Sequence, residues 1–289
     1  MGEKGGRLGE GRPSGGRPAM TYGVFTAQPL LLRSGGFSLF GPAHLAWLVA
    51  CAGVVALVER AHARARRPRL VLLAASVVML SLLASEDALM IFSHTFTKAW
   101  WPLHFCNFAE YLCLAYSLRP GHACRELLLT LGLMGGMAAM LFPGWLACPP
   151  YTWPVVCGFV EHALIFAVSW CAVREGRGRF RLRDVRVSLA FVAAYVLFFR
   201  WFNALLGSNY GFVSGPAYGT PIEWWYDALG DPLYLLPYAL CFLVAALALN
   251  LWASSWSADA QGEKGTHREK GGRRAGLALP SRGGGHPCA

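Results

Sequence analysis

His104, Cys106, Asn107 and Glu110 fall within seven residues of one apolar segment, WWPLHFCNFAEY at 100–111. A thiol beside a histidine is the composition of a nucleophile and its base, which together carry acyl transfer through a covalent intermediate. A histidine alone can instead deprotonate an acceptor hydroxyl for direct attack, with a carboxylate such as Glu110 or Glu161 orienting it. His162 is the second histidine able to serve, as partner of Cys106 or as a second acid/base group. A bland reading stands beside each: buried cysteines usually pack as small hydrophobes, and helix histidines often bond across a bundle. The sequence has no Gly-rich phosphate loop, no GxSxG turn and no HExxH spacing, so neither a metal nor a cofactor is expected.

These residues must be positioned by membrane helices. The chain has 289 residues, 55% hydrophobic and 15% charged, where an average soluble domain carries about 25% charged. Its apolar residues fall in blocks near the roughly 20 residues a spanning helix needs. The expectation is an all-α polytopic bundle of seven transmembrane helices, at about 42–58, 69–92, 100–118, 125–142, 153–173, 187–206 and 232–253. Residues 1–36 and 254–289 are read as disordered basic tails, with Met20 a second candidate start.

The net charge of +10 does not indicate nucleic acid, because the basic residues sit in tails and short loops. Loop 59–69 carries five arginines, 174–186 six, and the C-terminal tail six Lys/Arg, whereas 143–152 and 207–231 carry none. That asymmetry sets the N-terminus outside and the C-terminus in the cytoplasm of a multi-pass cell-membrane protein. Nine cysteines, most of them inside spans, make no disulfide framework. Leu48–Cys51 looks like a lipobox, but the apolar run continues well past Cys51. No internal repeat suggests an inverted-repeat transporter.

The topology puts the ionisable residues at one depth. His44, Glu86, Asp87, His104, Cys106, Asn107, Glu110, Glu161, His162 and Arg200 all fall in outer halves, with Asn209 just beyond, and the inner halves are nearly free of such groups. A central charge costs about 2.5–3.5 kcal/mol on insertion scales, so these groups are expected to share a pocket. Helical phase puts His104, Asn107 and Tyr111 on one face and Cys106, Glu110 and Cys113 on another, about 160° away. A rival reading makes Glu86, Asp87, Glu110 and Glu161 a proton or ion path with Arg200 as counter-ion. The long aromatic loop 207–231 is expected to cap the pocket.

The stretches FGPAHLAWL (40–48), WPLHFCNFAEYL (101–112), MLFPG (140–144), the His162 span and NYGFVSGPAYGTP…LGDPLYLLP (209–237) resemble the YwaF family of bacterial integral membrane proteins. That family is related to the animal transmembrane protein 164 family. The resemblance covers about 37–253 and implies an integral membrane acyltransferase, with membrane phospholipids and an acyl-lipid substrate as its partners. In the animal relatives the chemistry is ascribed to a cysteine directly before the histidine. Here Leu103 holds that place and Cys106 follows His104 by two residues. The resemblance therefore carries His104 over as general base, with His162 its partner and Cys106 as nucleophile or wall. Asn107 or Asn209 would donate to the oxyanion.

Overall fold

The computed structural model describes residues 23–32, 35–176, 181–217 and 219–276, with side chains to 255. Residues 1–22, 33–34 and 277–289 of the two expected tails, and both candidate start methionines, lie outside the described residues. A short helix α1 (Gln28–Leu31) precedes α2 (Pro42–Arg64) and α3 (Pro68–Phe92). Then come α4 (Phe105–Leu118), α5 (His122–Leu127), a π-helical stretch (Leu128–Gly135) and α6 (Gly136–Leu141). The chain continues through α7 (Trp153–Glu175), α8 (Val185–Leu206), α9 (Pro221–Leu229) and α10 (Leu235–Gly276). There is no strand among the described residues. Proline opens α2, α3 and α7, where its missing N–H belongs to a group with no helical partner anyway. α8 stops at Gly207, whose φ of 61° is the left-handed conformation a helix terminus favours.

Six helices are long and apolar enough to cross a membrane: α2, α3, the continuous 122–141 helix, α7, 182–206 and the first 21 residues of α10. This is a multi-pass membrane protein. Among the described residues six helices meet that length and composition, where the sequence reading expects seven. The third expected span, 100–118, shortens to the 14 residues of α4, about 21 Å against a hydrocarbon core of about 30 Å. Pro102 is the cause. The residue before a proline is pushed out of the α region, Trp101 sits at ψ 140°, and His104 at ψ 163° becomes the N-cap. The helical phase drawn from His104 therefore fails, because His104 lies outside the helix. α10 also runs on to Gly276, past its expected edge at 253.

α7 is the axis, buried along most of its length, while α2, α3, α8 and α10 expose most of theirs. α4 returns along α3: Ser117 near its end bonds Ser76 near the start of α3, at 3.2 Å. Irregular backbone at membrane depth survives only where protein satisfies it, and the segment between α3 and α4 is tied in this way. Tyr195 donates to Leu103 O at 2.8 Å, Tyr111 to Pro102 O at 3.1 Å, and Tyr210 to Lys98 O.

These contacts define two ends. At one, here the loop end, lie the starts of α2, α4 and α7, the ends of α3 and α8, and the loops 93–104, 143–152 and 207–234. At the other, the arginine end, Arg174 pairs with Glu59 and His62 with Glu175 at 2.9 Å. The inner helix halves are less bare than expected. Arg125 and Glu126, assigned to a loop and a span edge by sequence, are both buried near the arginine end.

Candidate functional site

Three helices bring four carboxylates to one place near the loop end: Glu86 and Asp87 from α3, Glu110 from α4 and Glu161 from α7. Each of Glu110 and Glu161 feels the charges of Glu86 and Asp87, and Glu161 feels Glu110 as well. Glu110 and Glu161 are buried; Glu86 and Asp87 are half-buried. Among the described residues no Lys, Arg or His pairs with any of the four. Among the described residues the one hydrogen bond between the cluster and its surroundings comes from Asn107 Nδ2 to Glu110 Oε2, at 3.4 Å. The other end of that amide accepts from the His104 backbone N–H at 3.0 Å, so Asn107 joins the start of α4 to the carboxylates. Glu161 Oε1 is buried without a partner.

Thiols surround this cluster. Cys106 is half-buried and its charged neighbours are Glu110 and Glu161. Nucleophilic cysteines are usually activated by a cation or a histidine, and among the described residues the charged neighbours of Cys106 are carboxylates alone. Cys157 lies one turn before Glu161, so that its Sγ and oxygens of Glu161 and Glu86 all fall within 4.8 Å of one another. Cys148, in the 143–152 loop, is fully buried. Burial and the Glu86 charge push its thiol up to about 11.

The three candidate histidines differ sharply. His44 is fully buried, accepting from Phe40 N–H at 2.9 Å and bonded to Met140 O at 2.8 Å. His162 turns Nδ1 to Gly158 O in its own helix, at 2.7 Å, and packs on Trp145. Both are core histidines held by backbone. His104 is half-buried. Its Nδ1 accepts from Gly211 N–H at 3.4 Å, and it packs between Tyr210 and Phe212. The structure thus brings His104 to the 207–217 loop, and puts no hydrogen bond between any of these three rings and a carboxylate.

Arg200 is not the counter-ion of the carboxylates. It forms a two-pronged pair with Asp231, at 2.6 and 3.0 Å, and donates to Val213 O at 2.9 Å. That pair holds the Asp231 carboxyl below the usual range. Asn209 is likewise a loop brace, with Nδ2 on Pro216 O at 3.2 Å and Oδ1 on Ser214 N–H at 3.0 Å. Asn203, which the sequence reading did not select, fastens the same loop through Tyr210 and Ser214.

An apolar groove of about 410 Å³ runs between the start of α4 and α8. Its lining includes Leu103, Phe108, Tyr195 and Phe198. Leu103 precedes His104, Tyr195 is an electrostatic neighbour of Cys106, and Phe198 is half exposed on the outside. Leu103 and Phe108 of this lining belong to the motif that draws attention in the sequence. The α8 part, with aromatics at 191, 195, 198, 199 and 202, reads as ordinary span until it is seen against α4.

Against known families, residues 39–254 match the TMEM164 family. No curated protein and no solved structure matches the chain.

Proposed function

This chain belongs to the TMEM164 family, and on that premise we propose that it is a membrane acyltransferase, moving fatty acyl chains between phospholipids or onto lyso- or ether-lipid acceptors. The observation that carries the reading is the apolar groove lined by Leu103, the residue before His104. Lipid tails are as apolar as the groove, so the hydrophobic effect gives little selection there. What the groove supplies is shape: it holds a chain with its ester near His104. His104 is the accessible polar group at that edge, and its 3.4 Å bond to Gly211 is at the weak limit of hydrogen bonding. An acceptor hydroxyl replaces Gly211 N–H as the donor to Nδ1. Its proton passes to Nδ1, its oxygen attacks the donor ester carbonyl, and the donor alkoxide leaves with the proton from His104. Packing against Tyr210 and Phe212 orients the ring. Direct transfer suits this chain because Cys106 has carboxylates beside it, which disfavour a thiolate, and no cation or histidine among the described residues.

The same reading takes the arginine end as cytoplasmic, the N-terminus as outside and α4 as a short seventh crossing of the cell membrane. It is supported by the basic loops gathered at one end. A second reading, proton-coupled transport, is favoured by the four carboxylates without a cationic partner.

The test is lipid analysis of membranes that contain wild type, His104→Ala, Cys106→Ala or Glu110→Gln at matched levels of folded protein. Acyl transfer expects wild type to change acyl composition, His104→Ala to abolish the change and Cys106→Ala to retain it. Loss in Cys106→Ala would assign covalent transfer instead. No change in any lipid would move the weight to transport, with Glu110 and Glu161 as its groups.

A further inference from the structure

We propose that Glu86, Cys157 and Glu161 form a binding site for a thiophilic divalent cation of the zinc class. Cys157 and Glu161 sit four residues apart on one face of α7, and Glu86 meets them from α3. Their ligand atoms already lie within 4.8 Å of one another. A tetrahedral ion with bonds of about 2.0–2.3 Å places its ligands about 3.3–3.8 Å apart, so small side-chain rotations close the site. A second observation points the same way. Glu161 is 5% exposed, yet its Oε1 has no partner among the described residues. A buried carboxylate oxygen without a hydrogen bond is costly, and a cation here satisfies it.

The donor set selects the ion. Magnesium and calcium take oxygen ligands, whereas a thiolate with two carboxylates suits zinc-like ions. Three anionic ligands also explain why no lysine or arginine approaches the cluster. Ser85 supports the set from behind: it lies beside Cys157 and accepts from Trp153 Nε1 at 2.9 Å. Glu110, held by Asn107, is a further carboxylate of the cluster for the fourth position.

The inference does not depend on acyl transfer, because occupancy is read without any lipid. The full chain, purified in detergent and stripped with a chelator, is titrated with Zn²⁺ and with Co²⁺ as its spectroscopic substitute. The expected result is one ion per chain and a thiolate-to-cobalt charge-transfer band. Cys157→Ser removes the band, and Glu161→Gln weakens binding at least tenfold. Cys113→Ser, whose thiol faces Ile165 O elsewhere in the core, changes neither. If Cys157→Ser does not fold, alkylation of wild type answers instead, since bound Zn²⁺ must slow modification of Cys157. The proposal is overturned if stripped wild type takes up no stoichiometric ion, if the band survives in Cys157→Ser, or if Zn²⁺ leaves Cys157 alkylation unchanged. Those outcomes leave the carboxylates as a proton-sharing group and leave acyl transfer standing.

Discussion

The two ends of the bundle use carboxylates in opposite ways. At the arginine end Glu59 pairs with Arg174, and Glu175 takes both His62 and Tyr116. Asp184 pairs with His122 at 3.1 Å, and the buried Glu126 accepts from Asn250 at 2.8 Å. At the loop end, among the described residues, the Asn107 amide donates to Glu110, and Glu86, Asp87 and Glu161 have no side-chain donor. The insertion cost of a carboxylate is similar at both ends. Where partners offset it, the group fastens helices. Where they do not, the group is kept for a ligand or a proton. The contrast among histidines is the same: His44 and His162 are held by short backbone bonds, and His104 by a long one.

The largest effect expected from breaking this contrast falls on His104. His104→Ala lowers acyl transfer by roughly 10²–10⁴-fold, the usual contribution of a general base, with little change in melting temperature. His44→Ala does the reverse. It leaves Met140 O and Phe40 N–H without their partner and costs about 2 kcal/mol of stability, while transfer per folded molecule stays near wild type. Comparable activity loss in both variants, after correction for folded protein, removes the distinction.

The next effect separates the two ends directly. Asn250→Leu strips Glu126 of its donor inside the bundle and is expected to cost about 1–2 kcal/mol. Glu161→Gln removes one charge from an unpaired group of like charges, so metal-free protein keeps or gains stability. Melting of the two variants in chelator checks this. If Glu161→Gln is the more damaging, the loop-end cluster is a fastener after all.

Much of this arrangement was legible in sequence, and the failures are informative. The arginine-rich loops sorted correctly to one end because charge alternation needs no packing knowledge. Pro102 marks a disturbed helix start in the sequence, and the structure gives its extent: His104 lies outside the helix as its N-cap, which voids any phase argument from that residue. Glu126 was missed because the span edge was set at Arg125, and a buried Glu near a helix start looks like a loop residue without its partner 124 positions away. Arg200 was assigned to the carboxylates by depth alone. Depth says nothing of direction, and Asp231, beyond the loop, claims it. Cys157 was readable, since its four-residue spacing to Glu161 puts both on one helix face, but a lone cysteine in a span defaults to packing.

The smallest expected effect lies at that Arg200–Asp231 pair, the loop end's one ion pair among the described residues. Both partners are about a third exposed, at 34% and 39%, so the pair is worth under about 1 kcal/mol. Arg200 lowers the Asp231 carboxyl from its ordinary value of about 3.9. A lowered folded value means the unfolded chain takes up the proton first as pH falls. The contribution is therefore complete above the ordinary value and disappears as pH drops through the folded one. Asp231→Asn should melt slightly below wild type at pH 7, and the gap should close below about pH 4. Because Arg200 keeps its bond to Val213 O, the 207–217 loop stays in place in the variant and His104 keeps its clasp. A gap that widens on acidification instead would show that Asp231 acts through some partner other than Arg200.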